Sequence, residues 1–331
     1  MAVRIVDLDT GPDYISESTP FSESLVVCRA SDPGALADGW EWVDSASFTL
    51  VDFPSDDRRV VTVSDLDAAV SGVADRVDSS PLAARICDDV LRANAAHGLS
   101  HPGLVTESLA YSTLQGGPEF ASWLAGQPPR RRHEASDSVE LRRDRGQQRL
   151  SITFNRPEKH NAFSNSLRAG LLEGLDVALL DPEISSCVLR GAGRSFCSGG
   201  DLLEFGLFQD VAVSHIARTR HSPAVALDAL ARRLGSDFVV ELHGAVMGSG
   251  LEMAAFCGTL RADSTARFGL PELTLGLIPG AGGTVSVPRR IGRWRTAYLV
   301  MSGEVIDVSV ALGWGLIDDI VDGSEFCIVD D

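Results

Sequence analysis

The sequence predicts an α/β fold, a mainly parallel sheet covered by helices, preceded by a mixed, mainly helical N-terminal region. Apolar runs of strand length alternate with segments whose apolar residues recur every three or four positions, above all in the second half of the chain. Glycine-rich stretches follow several of the apolar runs. This alternation is typical of βαβ units, which place their functional sites at the carboxyl ends of the strands.

The composition is that of an ordinary globular protein. Of the 331 residues, 44% are hydrophobic and 23% are charged, which excludes a wholly disordered or collagen-like chain. No apolar run is long enough to cross a membrane, and the N-terminus does not resemble a signal peptide, so we expect a cytoplasmic protein without a membrane partner. The 29 basic and 46 acidic residues give a net charge of -17, which disfavours binding to nucleic acid.

Six cysteines are scattered along the chain without a CxxC pair or a Cys/His spacing typical of zinc sites. Because no export signal is recognised, we expect reduced thiols that fill the core, and no metal site. The cysteines are Cys28, Cys87, Cys187, Cys197, Cys257 and Cys327.

Residues 1–130 are predicted to form the mainly helical extension. The expected strands are 24–30 and 47–52, and the expected helices are 65–77, 80–97, 104–114 and 118–125. Ser80 and Pro81 offer an N-cap and a first-turn proline to the second of these helices. The polar stretch Gln127–Ser138 contains two prolines and is typical of a linker to the second region, residues 131–331.

The second region alternates strand and helix. The expected strands are 150–154, 187–191, 238–242 and 259–263, and the expected helices are 165–180 and 251–257. Three glycine-containing segments of this region are candidates for a functional site.

The first two candidate segments each follow a predicted strand. Arg194–Leu202 carries adjacent glycines, which indicate either a tight turn with positive φ or a loop that turns backbone N–H groups toward a ligand. His243–Ala254 leads through small residues into an apolar helix, whose start exposes free N–H groups. Glu252 lies in that first turn among apolar residues, either as a charge favoured by the helix dipole or as a functional carboxylate.

The third candidate segment is Phe268–Thr284. It places Glu272 directly after a proline and ends in a glycine-rich turn, Gly280–Gly283, which indicates either a helix start or a phosphate site. It is not a P-loop, because no Gly-Lys-Ser/Thr follows. Glu252 and Glu272 lie on different glycine-framed loops and are a candidate acid/base pair. Their spacing alone does not show that they meet.

Together these segments resemble the crotonase superfamily, the enoyl-CoA hydratase/isomerase family. The family's opening strand-and-loop motif corresponds to Asn155–Phe163, its first oxyanion loop to Ser195–Leu202, its second oxyanion loop to Gly244–Ala254 and its second catalytic loop to Pro271–Thr284. The four motifs occur in the family's order, and together they are far more specific than any one of them.

The resemblance implies a spiral of ββα units, usually assembled as a trimer or as a hexamer of paired trimers. It implies an acyl-CoA thioester as substrate, with no metal or redox cofactor. Two backbone N–H groups would form an oxyanion hole, and by motif position they belong to Ser198 and Ser249, where serine replaces the usual alanine or glycine. The implied substrate- and CoA-binding residues are Ser198, Gly199, Gly200, Asp201, Leu202, Gly248 and Ser249.

Glu252 and Glu272 match the two positions where hydratases of this family carry glutamates. The resemblance therefore implies hydration of an enoyl-CoA, a lyase reaction of fatty acid metabolism, with Glu252 as the base on water and Glu272 as the proton donor. Alternatives on the same scaffold are double-bond isomerisation, thioester hydrolysis and cofactor-independent oxygenation. A catalytically silent thioester-binding subunit is a further alternative, which the retention of both glutamates disfavours.

The resemblance also implies a C-terminal helical segment that closes the acyl pocket, and this segment is largely absent from the sequence. We expect helices of the N-terminal region to take over part of this cover. The segment Glu107–Gln115 is the best candidate, and ordinary helix packing is the alternative interpretation.

Overall fold

The computed structural model describes residues 3–11, 25–98, 100–127, 138–207 and 210–326. The predicted linker lies outside these residues except for its two ends, and Cys327 lies outside them as well.

The N-terminal region contains a parallel four-stranded sheet with the strand order β1-β2-β3-β4. Its strands are β1 (Val3–Asp7), β2 (Leu25–Ala30), β3 (Phe48–Val51) and β4 (Val60–Thr62). The two inner strands agree with the prediction to within a residue. The outer strands were not predicted, because β1 mixes apolar and polar residues and β4 has only three residues.

Six helices accompany this sheet, and the four longest of them were predicted. They are α1 (Pro33–Asp38), α2 (Trp40–Ser45), α3 (Leu66–Ser79), α4 (Pro81–His97), α5 (Ser100–Gln115) and α6 (Pro118–Ala125). The capping of α4 differs from the prediction. The hydroxyl of Ser80 donates to the carbonyl of Leu273 at 2.7 Å, and the carboxylate of Glu119 accepts the N–H groups of Leu82 and Ala83 instead.

The second region is built on a six-stranded sheet with the order β12-β10-β8-β7-β6-β5. All neighbours run parallel except β5 and β6. The strands are β5 (Val139–Asp144), β6 (Arg149–Phe154), β7 (Ser186–Gly191), β8 (Phe238–Leu242), β10 (Thr259–Ala262) and β12 (Asp319–Ile320). A separate parallel pair is formed by β9 (Ala245–Met247) and β11 (Arg267–Gly269).

Helices follow the strands through this region, as the predicted α/β fold requires. They are α7 (Asn165–Leu180), α8 (Val211–Arg220), α9 (Pro223–Leu234), α10 (Ser249–Ala254), α11 (Gly283–Ser302) and α12 (Val308–Trp314). Helix α11 is kinked at Gly292, whose φ of 82° is not helical. The arrangement is the mainly parallel sheet covered by helices that the sequence predicted.

The extension and the second region share one hydrophobic core. A single cluster of buried side chains includes Phe48 and Leu91 of the N-terminal region together with Phe154, Leu260 and Leu299 of the second. Helix α4 packs along α11, and α5 packs on α8. The boundary predicted near residue 130 is therefore not a boundary of packing.

The cysteines behave as core residues wherever the structure describes them. Cys28, Cys87, Cys187, Cys197 and Cys257 are buried free thiols, and burial raises the pKa of each. Within the described ranges, no helix is both long and apolar enough to span a bilayer.

Candidate active site

The three candidate segments line one cavity of about 440 Å³. Every residue predicted for the site has its place in the cavity wall: Ser198, Gly199, Gly200, Asp201, Leu202, Gly248, Ser249, Glu252 and Glu272. The structure therefore brings together the two carboxylates that sequence spacing alone could not place.

Glu252 is held by the turn that precedes α11. Helix α10 begins directly after Gly248, so Glu252 lies in its first turn and is only 2% exposed. Its Oε2 accepts the backbone N–H groups of Ala281 at 2.7 Å and Gly283 at 2.8 Å. These two bonds fix the carboxylate and favour its ionised form.

Glu272 lies opposite, in a short 3₁₀ turn that begins after Pro271. A side chain at Gly248 would place its Cβ 2.7 Å from Glu272 Oε1, so the loop needs glycine for this close approach. The other oxygen, Oε2, is buried and has no hydrogen-bond partner among the residues described. An unpaired buried carboxylate oxygen disfavours the charged form and leaves Glu272 ready to hold a proton.

A third carboxylate, Glu107 of α5, reaches the same turn from the N-terminal extension. It is 2% exposed and accepts the N–H groups of Gly282 at 2.7 Å and Thr284 at 2.9 Å, and the hydroxyl of Thr284 at 2.7 Å. Glu252 and Glu107 thus bind alternate N–H groups of residues 281–284. Glu107 belongs to the predicted cover of the pocket, but its contacts with this turn were not predicted. The available signal was that it is the only acidic residue of α5.

Burial raises the pKa of all three carboxyl groups. It raises the pKa of Glu272 to about 8 and that of Glu107 to about 7. The pKa of Glu252 is also raised well above its ordinary value, first by burial and then by the charges of Glu272 and Glu107. Burial and the neighbouring charges therefore disfavour the simultaneous ionisation of all three carboxyl groups.

The backbone donors of the first oxyanion loop differ from the prediction. The N–H of Ser198 donates to the carbonyl of His160 at 3.0 Å, so it is not free for a ligand in this conformation. For Gly199 and Gly200, and for Ser249 at the start of α10, no acceptor of the N–H group lies within the described part of the chain. The oxyanion role expected of Ser198 and Ser249 stays a prediction, and Gly199 and Gly200 offer further donors in the first of these loops.

The extension also supplies part of the cavity wall, as the sequence predicted for Glu107–Gln115. Tyr111 and Gln115 of α5 line the cavity, together with Arg218 of α8. Tyr111 lies against Gly280, the first residue of the glycine-rich turn. Among the described residues, no group of three His, Cys, Asp or Glu side chains is arranged to hold a metal ion.

Comparison with known proteins gives one consistent family. The family model for enoyl-CoA hydratase/isomerase matches residues 145–327. The 2,3-dehydroadipyl-CoA hydratase of Escherichia coli is 37% identical over 181 residues, which are 55% of this chain and 69% of that protein. The mevalonyl-coenzyme A hydratase of Aspergillus fumigatus is 33% identical over 52% of this chain and 63% of that protein.

Solved structures agree with the sequence comparisons. A Mycobacterium abscessus structure of the enoyl-CoA hydratase/isomerase type has a TM-score of 0.51 at 32% identity, over 56% of this chain and 70% of that one. The structure of Pseudomonas aeruginosa DspI has a TM-score of 0.50 at 27% identity, over 59% of this chain and 77% of that one. The family match begins at residue 145, so Glu107, Tyr111 and Gln115 lie outside it.

Proposed function

The chain belongs to the enoyl-CoA hydratase/isomerase family, and on that premise we propose that it is an enoyl-CoA hydratase, which adds water across the 2,3 double bond of an acyl-CoA thioester. One observation carries the proposal: two buried glutamates from different loops, Glu252 and Glu272, line one cavity beside unpaired backbone N–H groups. Addition of water needs a base for the water and a proton donor for the alpha carbon, and two such carboxyl groups supply both.

The hydrogen bonding of each glutamate supports the role that we propose for it. Glu252 accepts two backbone N–H bonds and is the better place for negative charge, so it takes a proton from water as the hydroxide adds to C3. Glu272 has an unpaired buried oxygen and holds the proton that C2 receives. The proton gained by Glu252 replaces the one lost by Glu272 before the next turnover.

The oxyanion hole in this proposal consists of the Ser249 N–H and an N–H of the Gly199–Gly200 pair. When water adds at C3, negative charge moves onto the thioester oxygen as the enolate forms. Fixed N–H donors stabilise that charge, and losing one of them typically costs about 10² to 10³ in rate. The mechanism as proposed uses no metal and no redox cofactor.

The oligomeric state, the location in the cell and the metabolic role are also part of the proposal. The family resemblance favours a homotrimer or a hexamer of paired trimers, in the cytoplasm, acting in fatty acid metabolism. Light scattering of the purified protein measures the first of these directly.

The test is hydration of crotonyl-CoA, followed as loss of the absorbance of the conjugated thioester. We expect Glu252→Gln and Glu272→Gln each to lower kcat by about 10² to 10⁴, the usual contribution of a positioned acid or base. The double variant should be far from additive, because both groups act on one water addition.

Glu204→Gln is the matched control. Glu204 lines the same cavity, but its carboxylate accepts the N–H of Asn165 at 2.8 Å at the start of α7. Its loss should leave kcat within a few-fold of the parent. A near-full rate in either Glu252→Gln or Glu272→Gln would contradict the two-carboxylate mechanism, and a product with a shifted double bond would identify an isomerase.

A further inference from the structure

One part of the cavity wall is polar and lies outside the carboxylate pair. It consists of Tyr111 and Gln115 of α5 and Arg218 of α8. The guanidinium of Arg218 lies over the Tyr111 ring, 4.4 Å from its centroid. Its Nη1 donates to Gln115 Oε1 at 2.9 Å, its Nε to Ser108 Oγ at 3.3 Å, and its Nη2 to Ser112 Oγ. These contacts hold the cation in one orientation.

All of these hydrogen-bond partners are neutral. A guanidinium has five N–H donors, and three are used here, so two remain. No carboxylate within the described ranges forms an ion pair with Arg218. Glu107 lies close enough to influence it, but both oxygens of Glu107 are occupied by residues 282–284. The cavity wall therefore holds a fixed cation with spare donors.

Arg168, the other arginine in the cavity wall, has a different environment. It donates to Asn165 Oδ1 at 2.7 Å and lies within electrostatic reach of Glu204. The charge of Arg168 thus has an acidic neighbour, Glu204, whose carboxylate also binds at the start of α7. Arg218 instead lies beside Tyr111, which contacts Gly280 and so adjoins the turn that holds Glu252.

We propose that Arg218, with Gln115 and Tyr111, forms a subsite for a negatively charged group at the far end of the acyl chain. The substrate class is then the 2-enoyl-CoA thioester of a dicarboxylic acid. The distal carboxylate would take the two remaining N–H donors of Arg218, in a charge-assisted pair of the kind that arginine forms best. The inference rests on the proposed thioester chemistry and names the acyl group on which it acts.

An anionic ligand group could also be a phosphate of coenzyme A, and the experiments separate the two sources. The first uses the unaltered protein and needs no turnover. Calorimetry compares two saturated six-carbon thioesters, adipoyl-CoA and hexanoyl-CoA. We expect the dicarboxylic thioester to bind about 10- to 100-fold more tightly, the usual strength of a charge-assisted pair. Equal affinities, or tighter binding of hexanoyl-CoA, would overturn the proposal.

The second experiment locates the preference at Arg218. For Arg218→Gln we expect kcat/KM to fall by about 10- to 100-fold on the six-carbon dicarboxylic 2-enoyl thioester and to change little on its monocarboxylic equivalent. Arg218→Lys, which keeps the charge, should keep part of the preference. Arg168→Gln is the control and should change both values by the same factor. An equal loss on both thioesters in Arg218→Gln would place the anion on coenzyme A or make the arginine purely structural, and would overturn the proposal.

The two proposals fail in different ways. If the protein hydrates neither thioester, the hydratase proposal fails, while the binding preference of the unaltered protein still decides whether the subsite exists. If it hydrates both equally and binds both equally, the hydratase proposal stands and the subsite is wrong.

Discussion

Glu107 and Glu252 accept alternate backbone N–H groups of one turn. The N–H groups of residues 281–284 point outward from the start of α11, where the helix dipole also favours negative charge. Glu252 takes the first and third of these groups, and Glu107 takes the second and fourth. The turn thereby holds two carboxylates side by side, and the charge of Glu107 adds to the effect of burial on the pKa of Glu252.

We expect Glu107→Gln to move the pH–rate profile of hydration to lower pH, by about one unit. This is roughly the strength of one charge several Å away inside a protein. Glutamine keeps the shape and an acceptor oxygen but removes a charge that raises the pKa of Glu252 and of Glu272. Both limbs shift in the same direction, because the base and the proton donor each lose the same negative neighbour. The measurement is kcat for crotonyl-CoA between pH 5 and pH 10.

Glu119→Gln is the matched control for this effect. Glu119 also comes from the extension and also accepts two backbone N–H groups at a helix start, those of Leu82 and Ala83, but it does not line the active-site cavity. It should lower the free energy of unfolding by about 1 kcal/mol, as the loss of a helix cap does, and leave the pH profile unchanged. An unchanged profile in Glu107→Gln would limit Glu107 to a structural role.

At the scale of residues, the sequence predicted chemistry better than geometry. Glu252 and Glu272 were found because each lies in a short glycine-framed motif with a fixed local setting. The donor role expected of Ser198 stays a prediction, because its N–H bonds the carbonyl of His160, thirty-eight positions away, a contact that the local sequence does not indicate. The contacts of Glu107 were not predicted because its partners are backbone N–H groups of a distant turn, and the only local sign is that Glu107 is the single acid of α5.

Among the elements, helix α5 of the extension contacts the glycine-rich turn before α11. Tyr111 of α5 lies directly against Gly280, so that any side chain at this position would overlap its ring. Elements whose boundaries follow from local residues, such as α6, α7 and β8, were predicted at their observed bounds. The start of α10, the pair β9–β11 and the packing of α5 on the turn depend on tertiary contacts, and local periodicity could not define them.

We expect Gly280→Ala to reduce hydration by about 10- to 100-fold while the fold is kept. The added methyl must displace Tyr111 or the turn, and a shift of about 1 Å in a catalytic group can cost about 10²-fold in rate. Gly313→Ala is the control, since a Cβ there would meet no atom within 4 Å, and alanine in the helix α12 is neutral or slightly stabilising. Circular dichroism and crotonyl-CoA kinetics of the two variants check this. A fully active Gly280→Ala would mean that the contact of α5 with the turn does not position Glu252.

In the whole molecule, the extension and the region that the family model matches pack against each other around a shared core. Two of the four strands in the parallel sheet of the first region were predicted, because the inner strands are mostly apolar while the outer strands are short or mix apolar and polar residues. The shared core could not be predicted. The apolar faces of α4 and α11 indicate that each helix is buried, but they do not identify the element against which it packs. Residues 128–137 of the predicted linker Gln127–Ser138 lie outside the described part of the chain, and the buried cluster includes side chains from both sides of it.

Noncovalent packing holds the extension and the second region together. We expect cleavage at a specific protease site placed within residues 128–137 to cause little loss of activity, because the contacts of α4 with α11 and of α5 with the turn before α11 are noncovalent and buried. Removing the N-terminal fragment should then expose the apolar face of α11, leave residues 281–284 without Glu107, and open the cavity wall at Tyr111 and Gln115. An exposed face of this kind favours association or unfolding. Chains starting at Ser138 should therefore be insoluble, or soluble with a changed oligomeric state and activity lowered by about 10²-fold or more. Size-exclusion chromatography, dye binding to apolar surface and the crotonyl-CoA assay are measured before cleavage, after cleavage and after separation of the fragments.

Adding back residues 1–127 should restore the rate. If the separated second region is instead a well-behaved oligomer with full activity, then neither Glu107 nor the cover from α5 is needed for catalysis, and the site is complete without the extension.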